Sequence, residues 1–189
     1  MSNSDNVKDK LREEYIKCAL DPIYFMREYC YIQHPVQGKI KFDLYKFQEK
    51  TLDDLKNNDY NIILKARQLG MSTLTAGYAL WLMNFHNDKN ILVIAIKQET
   101  AKNLVTTVRV THQYMPSWLK QGCVEDNKLS LRYNNGSQIK AISSTGEAGR
   151  SEALSLLVVD EAAFISKIDE IWAASQQTLA TGGKCIALD

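Results

Sequence analysis

Short, continuous apolar runs separated by helical stretches constrain this chain more than any other feature. NIIL (61–64), ILVIAI (91–96) and the apolar part of LSLLVVDEAAF (154–164) are aliphatic without the alternation of a half-exposed strand. Runs of that kind belong to buried, mainly parallel strands covered by helices on both faces. Between the first two, residues 72–85 carry Leu74, Tyr78, Trp81, Leu82 and Phe85 at helical spacing, and 99–113 read as the next helix. The order strand, helix, strand predicts an α/β domain. A chain of 189 residues, 45% of them hydrophobic, suffices for one such domain with a small appendage.

The remaining segments fit around that core. Residues 8–18 have the spacing of an amphipathic helix, DPIYFMREYCYI packs onto the main body, and QHPVQGKIKF reads as a loop or hairpin. LYKFQEKTLDDLKNN predicts a helix with Leu44, Phe47, Thr51 and Leu55 along one side. KLSLRYNNGSQIKAI predicts a hairpin about Asn135-Gly136, an antiparallel insertion or sheet edge. A helix over 168–179 leads to Gly182-Gly183 and a last strand in KCIALD. The expected division is a helical extension over 1–40 packing on a core over 41–189.

Composition narrows the function less. A net charge of +1 makes no overall electrostatic case for nucleic acid. The four cysteines are scattered, which suits reduced thiols, and no stretch of about 18 apolar residues indicates a membrane span. The expectation is a cytoplasmic protein with no membrane association.

The chemistry concentrates in KARQLGMST, residues 65–73, which follows the first apolar strand and opens a helix. A phosphate loop of the form G-x-x-x-x-G-K-[ST] cradles phosphates with backbone N–H groups, sets a lysine on the outer phosphates and offers a hydroxyl to Mg²⁺. Aligned on Gly70 and Ser72, the first glycine falls on Lys65 and the lysine on Met71. The cradle, from Ala66 through Gln68 and Leu69 to Thr73, survives those changes because it needs backbone and helix start. The charge does not, and Lys65 or Arg67 must replace it. The second half of the site is the strand ending in Asp160-Glu161, one carboxylate for Mg²⁺ and one to polarise the attacking water.

LYKFQ, LKARQLGMST, YNNGSQIKAISS and GRSEALSLLVVDEAAFI together resemble the ATPase domain of the large terminase subunit of tailed bacteriophages. The resemblance covers nearly the whole chain from Asp21 onward. It implies a RecA-like P-loop NTPase domain that hydrolyses ATP with Mg²⁺ to drive double-stranded DNA into a procapsid. Implied partners are a portal protein, a small terminase subunit and further copies of the chain in a homo-oligomeric ring, in the cytoplasm of an infected bacterium. By the same resemblance Gln48 hydrogen-bonds adenine beside Tyr45 or Phe47, Lys65 is the relocated lysine and Arg67 the arginine of an R-Q-x-G loop. Ser72 and Asp160 hold the metal, Glu161 is catalytic, and Arg150 reaches a neighbouring subunit's γ-phosphate. The family's coupling turn and C-terminal nuclease domain would lie beyond Asp189, so the chain is expected to be part of a longer protein.

Two other readings of the same residues stand beside this one: a helicase-like ATPase acting on nucleic acid, and a nucleotide-binding module that does not hydrolyse. Lys102, Arg109, Lys120, Lys128, Arg132 and Lys140 are the candidate contacts to nucleic-acid phosphates.

Overall fold

The computed structural model describes residues 3–34, 36–66, 68–144 and 153–189. In chain order the elements are α1 (Asn3–Leu20), α2 (Pro22–Tyr29), β1 (Tyr31–His34), β2 (Gly38–Lys41), α3 (Lys46–Asn57), β3 (Tyr60–Ile63), α4 (Met71–Phe85), β4 (Asn90–Ala95) and α5 (Gln98–Tyr114). They continue with β5 (Cys123–Asn127), β6 (Ser130–Tyr133), β7 (Gln138–Ser143), β8 (Leu156–Asp160), a 3₁₀ turn (Ala162–Phe164), α6 (Ile168–Leu179) and β9 (Lys184–Leu188). β1 and β2 form a separate antiparallel hairpin, and the other strands form one sheet in the order β3-β9-β8-β4-β7-β6-β5. The five strands from β3 to β7 are mutually parallel, and β6 and β5 add on antiparallel.

Period-two alternation sorts the strand side chains onto two faces. Ile91, Val93, Leu156, Val158, Ile186 and Leu188 enter one buried cluster, whereas Leu92, Ile94, Leu157, Val159 and Cys185 enter the other, beneath α6. The first cluster is the larger. It takes in α4, which is buried from Leu74 through Asn84 and is therefore apolar almost all round, as a helix sandwiched between layers must be. On its far side lie α1 and α2. Trp81 Nε1 donates to the Cys18 carbonyl at 2.9 Å, Phe85 meets the rings of Tyr15 and Phe25 edge-on, and the Tyr24 and Tyr29 hydroxyls both donate to Glu14. Cys18, Phe25, Met26 and Cys30 belong to the main core, so the N-terminal extension shares that core. The β1–β2 hairpin carries the chain on to Lys41.

Two expectations are corrected. β3 is an edge strand with alternating exposure, Ile62 being 86% exposed, so NIIL is not buried on both faces. An apolar run reads the same at a sheet edge as at its centre, because the missing neighbour lies elsewhere in the chain. In α3 the buried residues are Gln48, Leu52 and Leu55, while Phe47 faces outward. The hairpin at Asn135-Gly136 is present as β6–β7, with Gly136 at φ +83. A Cβ there would lie 2.1 Å from Asp88 Oδ1, which would have to swing aside, and the positive φ itself favours glycine.

Candidate functional site

Strand order decides what can meet. β9 lies between β3 and β8, and Leu188 is the register partner of both Ile63 and Asp160. The carboxyl ends of β3 and β8 are therefore level and about 10 Å apart, two interstrand spacings. Lys65 stands two residues past Ile63, its N–H donating to the Asp189 carbonyl at 2.7 Å, which extends the β3–β9 ladder to the mouth of the loop. From there its side chain spans the gap, and Nζ lies 3.6 Å from Asp160 Oδ1. The same oxygen accepts the Glu161 N–H at 3.0 Å. The Lys65 and Asp160 side chains are only 20% and 9% exposed, a setting where a charge pair is weakly screened by solvent.

Met71 answers the question of the altered loop. It is the first residue of α4, 4% exposed and part of the main core, so its side chain contributes packing and no charge. Ahead of it Gln68 and Gly70 both adopt left-handed conformations, at φ 65 and φ 68. Gly70 caps α4 without a side-chain hydrogen bond, which leaves the first-turn N–H groups and the positive end of the helix dipole facing the loop. The loop encloses a cavity of about 230 Å³ lined by Lys65, Gln68, Gly70, Ser72 and Thr73 among others. Backbone donors, a helix start and one ammonium suit a phosphate chain.

Glu161 is half-buried at the start of the 3₁₀ turn with φ 58 and ψ 43. Left-handed backbone is uncommon for a residue other than glycine and costs on the order of 1 kcal/mol or more. Of the three such residues in the described chain, Gln68 and Glu161 flank this site. Neither conformation was legible in the sequence.

The aromatic segment before α3 brings Tyr45, Phe47 and Gln48 together. Tyr45 and Phe47 stack on each other, with centroids 5.6 Å apart and planes 8° from parallel, and both are exposed. Gln48 is buried, and its amide joins the Tyr45 N–H to the Leu69 carbonyl, each bond 3.0 Å. That bridge was missed, although Tyr45-x-x-Gln48 has the spacing by which a helix's third residue reaches back to its cap. Arg67 and Arg150 lie outside the described residues.

Four of the six candidate cations for nucleic acid separate into two groups. Arg109 is engaged with Asp126 and the Asn127 carbonyl, and Lys102 pairs with Glu99. Arg132 and Lys140 are exposed, and the β6–β7 register sets them on one face of the sheet beside Gln138. Among the described residues no cluster of three or more His, Cys, Asp or Glu side chains forms a metal cage, and no helix is long and apolar enough to cross a membrane.

A parallel sheet with a phosphate loop after one strand, and a carboxylate pair at the end of a strand two places away, gives this chain a P-loop NTPase fold. No family model matches the sequence. Its solved structural neighbours include ATPase domains of phage large terminases. The HK97 bacteriophage large terminase is 20% identical with a TM-score of 0.69 over 90% of this chain and 37% of that one. The large terminase ATPase domain of Thermus phage P74-26 is 18% identical with a TM-score of 0.60, over 78% of this chain and 65% of that one. The large terminase of a thermophilic bacteriophage in complex with ATP-γ-S is 13% identical with a TM-score of 0.58, over 77% of this chain and 38% of that one. The chain thus spans between 37% and 65% of these structures.

Proposed function

We propose that this chain is the ATPase domain of a viral DNA-packaging motor of the large terminase type. It hydrolyses ATP with Mg²⁺ to move double-stranded DNA into a procapsid. The observation that carries the reading is the approach of Lys65 to Asp160, which joins the phosphate loop to the acidic strand end. The terminase of the thermophilic bacteriophage was solved with ATP-γ-S, which favours a nucleoside triphosphate here.

In this reading the first turn of α4 and the loop N–H groups hold the phosphates, and Lys65 turns from Asp160 to the outer phosphate oxygens. Ser72 and Asp160 would hold Mg²⁺. A hydroxyl and a carboxylate are hard oxygen donors, and a site with few protein ligands suits an ion that keeps several waters and binds through phosphates. When bound, the ion would supply charge neutralisation at the phosphates. Glu161, fixed by its left-handed backbone at the end of β8, orients and polarises the attacking water. Until the nucleotide arrives, Lys65 serves as the counter-charge of the neighbouring Asp160.

Arg67 stabilises charge on the transferring phosphoryl group, and Arg150 acts on the γ-phosphate of an adjacent copy in a homo-oligomeric ring. The portal protein, the small terminase subunit and the duplex complete the motor. Arg132 and Lys140 form the basic pair offered to DNA phosphates.

The test is phosphate release by the full-length protein with DNA and portal, with and without Mg²⁺. Glu161→Gln is expected to keep ATP·Mg²⁺ binding and to lower turnover by about 100-fold or more, the scale of a lost general base. Hydrolysis by that variant at the unaltered rate removes Glu161 from the mechanism. ATP binding by the unaltered assembly with no hydrolysis would favour a nucleotide-binding module instead.

A further inference from the structure

One ammonium borders two parts of this site. Lys65 Nζ lies 3.6 Å from Asp160 Oδ1, and the same residue lines the cavity of about 230 Å³ enclosed by the loop before α4. Its backbone is fixed, because the Lys65 N–H donates to the Asp189 carbonyl at 2.7 Å. A move from carboxylate to cavity therefore needs only rotation of the side chain. At 3.6 Å the pair is a charge contact without the length of a hydrogen bond, unlike the 2.6 Å pair of Arg109 and Asp126. A stronger anion can draw the ammonium away.

Seen from Asp160, the lysine stands where a cation would. Asp160 is 7% exposed, and its Oδ1 also accepts the Glu161 N–H at 3.0 Å. A magnesium ion bonded at about 2.1 Å to either oxygen of that carboxylate would stand within about 8 Å of the ammonium, and in so enclosed a setting solvent screens the two cations weakly. Among the described residues no cluster of three or more His, Cys, Asp or Glu side chains supplies further negative charge to hold the ion against that repulsion. Phosphates reverse the balance, because they take the ammonium into the cavity and bring oxygen donors of their own.

We propose that Lys65 keeps the divalent ion off Asp160 until phosphates arrive, so that this chain takes up the ion only together with its nucleotide. The proposal rests on the nucleotide and metal sites proposed above. It gives Lys65 two effects of opposite sign: with the lysine removed, phosphates are held less tightly and the ion alone is held more tightly. A lysine that served only as a phosphate contact would show the first effect without the second.

Mn²⁺ is the probe, because electron paramagnetic resonance counts the free ion directly. In the full-length protein without nucleotide, Lys65→Met is expected to bind Mn²⁺ at least about tenfold more tightly than the unaltered protein, the effect of removing a positive charge a few ångströms from the ion. Asp160→Asn added to Lys65→Met should abolish that gain. The unaltered protein should retain Mn²⁺ and ATP-γ-S together in equilibrium dialysis. A further readout needs no folded lysine variant: Mg²⁺ alone, at constant ionic strength, should leave the melting temperature of the unaltered protein where it was, whereas Mg²⁺ with ATP-γ-S should raise it.

Equal Mn²⁺ affinity in Lys65→Met and the unaltered protein overturns the proposal, as does a gain that survives Asp160→Asn. So does a rise in the melting temperature of the unaltered protein with Mg²⁺ alone that Asp160→Asn removes. Each of these leaves the nucleotide site standing as long as Mn²⁺ and ATP-γ-S are retained together. Failure of the unaltered protein to retain them overturns the site itself, and this inference with it.

Discussion

Met71 stands where a phosphate loop ordinarily extends its lysine, and the reason it can be methionine is that its side chain serves the core. Replacement by Leu, close in volume, should cost less than about 1.5 kcal/mol by thermal unfolding and leave phosphate release unchanged. A large loss of turnover in a stable Met71→Leu protein would show that the position touches the phosphates. At Glu161 backbone and chemistry can be pulled apart, because the left-handed conformation strains any residue but glycine. Glu161→Gly should raise stability by up to about 1 kcal/mol through relief of that strain while abolishing hydrolysis. A fall in melting temperature would mean that the carboxylate holds the turn in place.

Among the elements, the start of α4 carries the proposed phosphate site, and Gly70 is its most constrained position. Its φ of +68 and the 2.9 Å approach of Gln48 leave no comfortable place for a methyl group. Gly70→Ala should therefore cost roughly 1–3 kcal/mol and weaken nucleotide binding, both measurable by thermal shift with and without ATP-γ-S. Unchanged binding would mean that the loop's conformation is not what holds phosphate. The elements themselves were largely legible. α6 occupies the predicted 168–179, and β4 and β8 fall on the long apolar runs, because central strands and amphipathic helices write their periods into composition. β5 was missed because CVEDN is exposed throughout and has no apolar alternation. The inward face of α3 was misread because a buried glutamine has no apolar signal. For the site, Lys65 and Asp160 were both legible as candidates. Their meeting was not, since it depends on β9 being inserted between β3 and β8, and pairing order leaves no local trace.

The whole molecule has two further consequences that can be measured. His86 and His112 both have pKa values lowered from 6.5, in each case chiefly by burial. A base whose folded pKa is depressed contributes its full stability above the unfolded value and loses it as pH falls through the folded one. The melting temperature should therefore decline between about pH 7 and pH 5, and less steeply in a His86→Gln, His112→Gln double variant. Equal slopes would exclude the two imidazoles as the cause. The second consequence concerns the sheet edge, where exposed Tyr60 and Ile62 border an apolar groove of about 470 Å³ shared with Trp172. Open apolar edges promote association, so Ile62→Lys should reduce concentration-dependent light scattering without lowering the melting temperature. Scattering that is unaffected would place the association elsewhere. In the proposed reading the phosphate loop takes its cation from the end of β3, through a lysine that also reaches the acidic end of β8. The most direct test of that claim is the affinity of Lys65→Ala for Mg²⁺·ATP-γ-S beside that of the unaltered protein. Loss of a charge-assisted contact to phosphate predicts weakening by about 10- to 100-fold in a folded protein. Affinity equal to that of the unaltered protein would contradict the claim.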